Sequence, residues 1–129
     1  MKGFVGNIET LTEDNDDYRR VLYTGRNLQL VLMALKPGEE IGEEVHETHD
    51  QFLRLETGSG DVVIDGRRTK VAADDAILVP AGARHNVINT GQGPLKLYTV
   101  YGPPEHRDGV LQPTKADERE EHFDGTTTE

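Results

Sequence analysis

From Val21 onward, short apolar runs alternate with Gly, Pro, Asn and Asp. That rhythm belongs to strands and tight turns rather than to helices. "VLYT" is followed by "GRN", and "LQLVLMAL" by "KPGEEIG". The run Leu28 to Leu35 has helix-favouring Leu, Met and Ala, but its shortness and its boundaries at Gly25 and Pro37-Gly38 predict a strand covered on both faces. In "DVVIDGRRTKV" two β-like runs flank Asp65-Gly66, a pair suited to a two-residue hairpin turn in which both positions need positive φ. "DDAILVPAGARHNVIN" predicts a strand, a Pro80-Ala81-Gly82 turn and a second strand. "PLKLYTVYGPP" predicts one with Leu95, Leu97 and Thr99 on one face and Lys96, Tyr98 and Val100 on the other, halted by Pro103-Pro104. Many short strands at this spacing predict an all-β sandwich or barrel.

The two ends read differently. Residues 1–20, with "TEDNDDYRR", are polar and are expected to form surface loop or a short irregular turn. Residues 105–129 are acidic and include "KADEREEHFDGTTTE", too poor in apolar side chains to fold alone. They are expected to be a partly disordered tail with at most a short helix, leaving 21–104 as the β-barrel domain. A chain of 129 residues is most simply one domain.

Charge and composition narrow the chemistry. A formal charge of −10 argues against binding nucleic acid or anionic membranes, where Lys and Arg supply the affinity. "MKGFVGNIET" lacks the apolar core of a signal peptide, and no stretch resembles a spanning helix, so a cytoplasmic protein is expected. Cysteine is absent. Disulfides, thiolate ligands and a cysteine nucleophile are therefore excluded, and a metal site must use His, Asp, Glu, Gln or water.

"EEVHETHDQF" (residues 43–52) is unusually rich in such groups. Residues two apart share a strand face, which pairs Glu44 with His46 and His49 with Gln51 on opposite sides. The pairs converge only if the chain turns between them, and Thr48 and Asp50 are turn-prone. Gln51 shares its face with Leu53 and Leu55, so Glu44, His46 and Gln51 can meet inside while His49 stays near the turn. His85, just after the Pro-Ala-Gly turn, shares a face with Val87 and Asn89 and is a further candidate. Two imidazoles and a carboxylate with another oxygen donor make a recognised site for first-row divalent metals.

Two longer patterns carry a family resemblance. "GEEIGEEVHETHDQFLRLETG" resembles the first cupin motif, G-x5-H-x-H-x3/4-E-x6-G, with Gly38, His46 and Gly58 in place. Glu44 stands in its first histidine slot and Gln51 in its glutamate slot. "DDAILVPAGARHNVIN" resembles the second, G-x5-P-x-G-x2-H-x3-N, through Pro80, Gly82, His85 and Asn89, with Asp74 replacing the leading glycine. The intervening hairpin and the "YGPPEH" exit are also similar to small single-domain bacterial cupins. The resemblance implies a jelly-roll β-sandwich, a homodimer, and one divalent transition metal (Mn, Fe, Co or Zn) held by Glu44, His46, Gln51 and His85. The ligand charge stays at −1, with the acid moved between slots, and the Gln carbonyl oxygen is a weak, hard donor. Resemblance to sugar-isomerase-type cupins implies a metal-dependent isomerase or epimerase acting on a small polar molecule. A metal-dependent dioxygenase and a non-catalytic ligand- or metal-binding module are the alternatives.

Around such a site, Arg54 and Arg84 could orient an anion, but alternation places Arg54 opposite Gln51 and favours an outward, solvated side chain. Tyr98 and Tyr101 could reach the cavity mouth or simply pack. His49 reads as a turn residue, with a supporting role to the site as the alternative. His106 could fold back over the opening, although terminal-segment histidines rarely do so, and His122 is assigned to the tail.

Overall fold

Ten strands form two antiparallel sheets in the computed structural model, which describes residues 1–129. The strands are β1 (Arg19–Thr24), β2 (Gln29–Leu35), β3 (Glu44–Val45), β4 (Asp50–Thr57), β5 (Ser59–Ile64), β6 (Arg67–Ala72), β7 (Ala76–Val79), β8 (Arg84–Ile88), β9 (Leu95–Gly102) and β10 (Leu111–Gln112). One sheet has the order β10-β1-β2-β9-β4-β7 and the other β3-β8-β5-β6. This is the all-β sandwich that the punctuation of the sequence predicts.

The core lies between the sheets and is built by period-two alternation. In β9, Leu95, Leu97, Thr99 and Tyr101 are buried while the residues between them are half-exposed. Val31, Met33 and Leu35 of β2 and Leu53 and Leu55 of β4 join them, facing Val62, Val71 and Val87 of the smaller sheet. On the other face of β2, Leu32 is also buried, whereas Leu30 and Ala34 are only half-covered.

The turns follow their residue chemistry. Asp65 and Gly66 both have positive φ, 48° and 80°, in the two-residue loop between β5 and β6. Gly58, between β4 and β5, has φ 87°, and a Cβ there would lie 2.3 Å from the Pro94 carbonyl oxygen. That position admits glycine alone.

Both ends of the chain take part in the sandwich. The polar N-terminal stretch carries a short helix, α1 (Ile8–Glu13), capped by Asn7, whose side chain accepts from the Thr10 N–H at 3.0 Å. It then sends Tyr18 and Arg19 into the interior, 1% and 4% exposed. At the other end, β10 pairs with β1, and Val110 joins the core. The larger sheet thus draws on residues either side of the 21–104 span. A short 3-10 turn, Lys115–Asp117, follows.

A candidate metal centre

The two histidines expected at the site are set by one turn. The Gly82 N–H donates to the His46 carbonyl at 2.8 Å, and the Ala83 carbonyl accepts from His85 Nδ1 at 3.0 Å. Gly82 has φ 87°, which suits a residue without Cβ. Bonding at Nδ1 fixes the His85 tautomer so that Nε2 presents its lone pair. Glu44 is brought alongside because it is the register partner of His85 in the β3–β8 pair. The chain then bends at Glu47 and Thr48 before β4 begins.

Ligand-type atoms of Glu44, His46 and His85 all lie within 4.8 Å of one another, a grouping that could hold a metal ion. The imidazoles of His46 and His85 are 5.2 Å apart between centroids, and both side chains are buried. Glu44 Oε2 sits 3.0 Å from His46 Nε2, yet that buried nitrogen has no aligned hydrogen-bond partner. Burial alone would lower the His46 pKa, but Glu105 and Glu44 outweigh it and push it up to about 9. Glu44 is raised by burial and lowered more by His46, ending below the usual carboxylate range. The two carboxylates thus favour positive charge at His46, the charge that a cation would also supply.

Gln51 points into the interior from β4 and is 4% exposed. Its Nε2 donates to Thr99 Oγ1 at 3.0 Å, and its Oε1 is buried without a partner. Two unpartnered buried atoms, one imidazole nitrogen and one amide oxygen, are donors that a bound cation would satisfy. The donor set of two imidazoles, one carboxylate and an amide oxygen suits a first-row divalent ion.

A cavity of about 590 Å³ opens beside Glu44 and His46, and only two of its 15 lining residues are hydrophobic. Glu105, from the "YGPPEH" exit, stands in its wall among three histidines. Its Oε2 lies 3.5 Å from His46 Nδ1 and 3.3 Å from His49 Nε2, and its Oε1 lies 3.3 Å from His122 Nδ1. His49 is half-buried, held through Nε2 to the Pro104 carbonyl at 2.9 Å as well as to Glu105. It braces Glu105 from behind instead of standing free on a solvated turn.

His106 does fold back over the opening. Its Nε2 approaches the Tyr101 hydroxyl at 3.3 Å, and the Tyr101 ring stands edge-on to both His46 and His106. His122 reaches the cavity as well, through a backbone bridge to His106. Arg54 pairs with Glu56 and Asp74 away from the site, Arg84 pairs with Glu43 at the surface, and Tyr98 packs against Phe52.

Sequence reasoning missed Arg19, Lys115 and Glu118, which also line the cavity. A signal for Arg19 was present, since it lies two residues before the buried Val21.

A model of the family described as "Cupin domain" matches residues 31–101. This chain is a cupin. It is 48% identical over 122 residues to the Bacillus subtilis protein YrkC, covering 90% of this chain and 66% of YrkC. It is 40% identical over 113 residues to protein L612 of Acanthamoeba polyphaga mimivirus, covering 84% of this chain and 70% of that protein. The chain therefore spans about two thirds of the length of these curated relatives. The crystal structure of BH2720 from Bacillus halodurans superposes with a TM-score of 0.87 at 48% identity, covering 90% of this chain and 92% of the other. The cupin is further constrained by its own residues: no helix is long and apolar enough to cross a membrane.

Proposed function

We propose that this cupin is a metal-dependent enzyme acting on a small polar substrate. One divalent transition metal (Mn, Fe, Co or Zn) would be held by Glu44, His46 and His85, with the Gln51 carbonyl oxygen as a loose fourth donor. The observation that carries the reading is the meeting of these three ligand groups within 4.8 Å beside a polar cavity. Bound there, a divalent ion supplies Lewis acidity towards a carbonyl or hydroxyl oxygen. The chain's own groups supply the proton traffic: Glu105 lies against His46 and His49, and His106 lies against Tyr101. A carboxylate and the His106 imidazole, kept neutral by burial, facing a polar cavity suit the removal and return of a proton. Isomerisation or epimerisation of a sugar is the reaction favoured, in keeping with the resemblance to sugar-isomerase-type cupins. A second reading is supported by the ligand trio itself, because two imidazoles and one carboxylate also suit an iron-dependent dioxygenase.

Metal analysis of protein purified without chelators tests the site. His46→Ala and His85→Ala should each abolish stoichiometric metal; retention in either removes that residue from the site. Partners that merely orient a ligand are worth 10–100-fold in affinity, so Glu44→Gln, which deletes the only ligand charge, should cost at least about 100-fold. Gln51→Ala should cost less, and the reverse order would show the two roles exchanged. Turnover of sugars without oxygen, with Mn or Zn bound, supports the isomerase, whereas oxygen consumption with iron bound supports the dioxygenase. A full complement of metal with neither activity leaves a non-catalytic binding module.

A further inference from the structure

On the wall of the same cavity, three donors converge on the Glu118 carboxylate, two of them (Arg19 and Lys115) lining the cavity themselves. Glu118 Oε2 accepts from Arg19 Nη1 at 3.1 Å and from the Tyr18 hydroxyl at 2.9 Å, and Oε1 accepts from Lys115 Nζ at 2.9 Å. The cations are stacked on the phenol, with Arg19 Cζ and Lys115 Nζ each 5.1 Å from the Tyr18 ring centre. Arg19 and Tyr18 are almost wholly buried, whereas the carboxylate that satisfies them rides on an accessible turn, its side chain 31% exposed.

The pairing is incomplete. The guanidinium meets Gln112 Oε1 and Glu118 through Nη1 alone, and Arg19 Nε is buried without any partner. A permanent structural pair would use the planar fork of the guanidinium bidentately. Burying a guanidinium behind a single one-point acid is costly and is seldom justified by stability. With Glu118 withdrawn, Arg19 keeps only Gln112, and Lys115 keeps the Ile41 carbonyl and the Tyr18 hydroxyl. That leaves a cationic niche with a phenol donor behind it, and its two cations, Arg19 and Lys115, line one cavity with Glu44 and His46.

We propose that this niche binds the carboxylate of a small organic acid substrate through Arg19, Tyr18 and Lys115, and that Glu118 is the chain's own stand-in for it. The inference deepens the reading above: the substrate is a hydroxy or keto acid whose carboxylate takes the place of Glu118 while its oxygen-bearing carbon faces the metal-binding residues. Glu118 then leaves with its turn, so arrival of the substrate and opening of the C-terminal segment are one event.

The test is an NMR titration of the metal-free full-length protein, following the Arg19 Nε–H resonance. The probes are glycolate, ethylene glycol as its uncharged counterpart, and inorganic phosphate. Glycolate should shift the resonance, and Glu118→Gln should bind it about tenfold more tightly because the internal competitor has lost its charge. Ethylene glycol should do nothing. Lys115→Met in the Glu118→Gln background should lose most of the gain, and this substitution at a half-buried position leaves the buried arginine intact. Unchanged affinity in Glu118→Gln, a silent Arg19 Nε–H, or preference for phosphate over glycolate would each overturn the proposal. Because metal is absent throughout, failure here leaves the metal site standing, and loss of the metal site leaves a positive titration standing.

Discussion

His106 shows how one side chain in this cupin converts position into pH dependence. Burial lowers its pKa, the Arg19 guanidinium lowers it further, and Glu105 and Glu44 only partly oppose them, leaving it at about 4. A histidine whose folded pKa lies below its unfolded value of about 6.5 supports the fold only while neutral. Its contribution is present above pH 6.5 and is lost as the pH falls towards 4. Over the two units from pH 6.5 to 4.5 it should cost about 2–3 kcal/mol, since each pH unit between the two values is worth about 1.36 kcal/mol. Urea unfolding between pH 7 and pH 4.5 should show this loss, and His106→Gln should flatten it; equal slopes would mean that the proton settles elsewhere. The sequence disclosed the residues of the candidate metal site unevenly. Glu44, His46, Gln51 and His85 stood out because their spacing in two motifs is local. The contacts of His106, Glu105 and Arg19 depend on segments meeting across the cavity, and a polar stretch gives no periodic sign of that.

At the level of elements, two of the four motif glycine positions behave oppositely. Gly58 is wedged against the Pro94 carbonyl, so Gly58→Ala meets both a clash at 2.3 Å and an unfavourable φ of 87°. It should destabilise the fold by more than about 3 kcal/mol. Asp74, standing where the second motif has glycine, keeps a left-handed backbone with φ 76°. Its N–H donates to the Leu55 carbonyl at 2.7 Å, and its exposed carboxylate meets Arg54, a surface pair of little worth. Asp74→Gly should therefore gain about 0.5–1 kcal/mol, the strain of a non-glycine residue in that region less the added freedom of the unfolded chain. Thermal unfolding of the two variants should move in opposite directions. The long strands and the Asp65-Gly66 hairpin were legible because alternation and turn chemistry are properties of the segment. Helix α1 and the two-residue strands β3 and β10 were not, since elements so short are defined by the neighbours that they pair with.

For the whole molecule, the acidic C-terminal segment governs how the sandwich closes. The candidate metal ligands all precede residue 90, whereas Glu118, His122 and Thr128 come from the last stretch. A chain ending at Pro113 should keep its metal stoichiometry but lose about 3 kcal/mol or more, because Arg19 remains buried without its carboxylate. Metal content and urea midpoint, measured on the same sample, separate the two effects. The same stretch also covers the flank of β1. Arg19 and Arg20 face Gln112 and Leu111 of β10, and the Val21 N–H donates to the Val110 carbonyl. Thr24 is tied both ways to Thr128, through its N–H to Oγ1 at 2.7 Å and its carbonyl to the N–H at 2.9 Å. The protein thus hems its own selvage. Cut away, the hem would leave a ribbon of bare amides, and sibling molecules would begin to stitch themselves together along it.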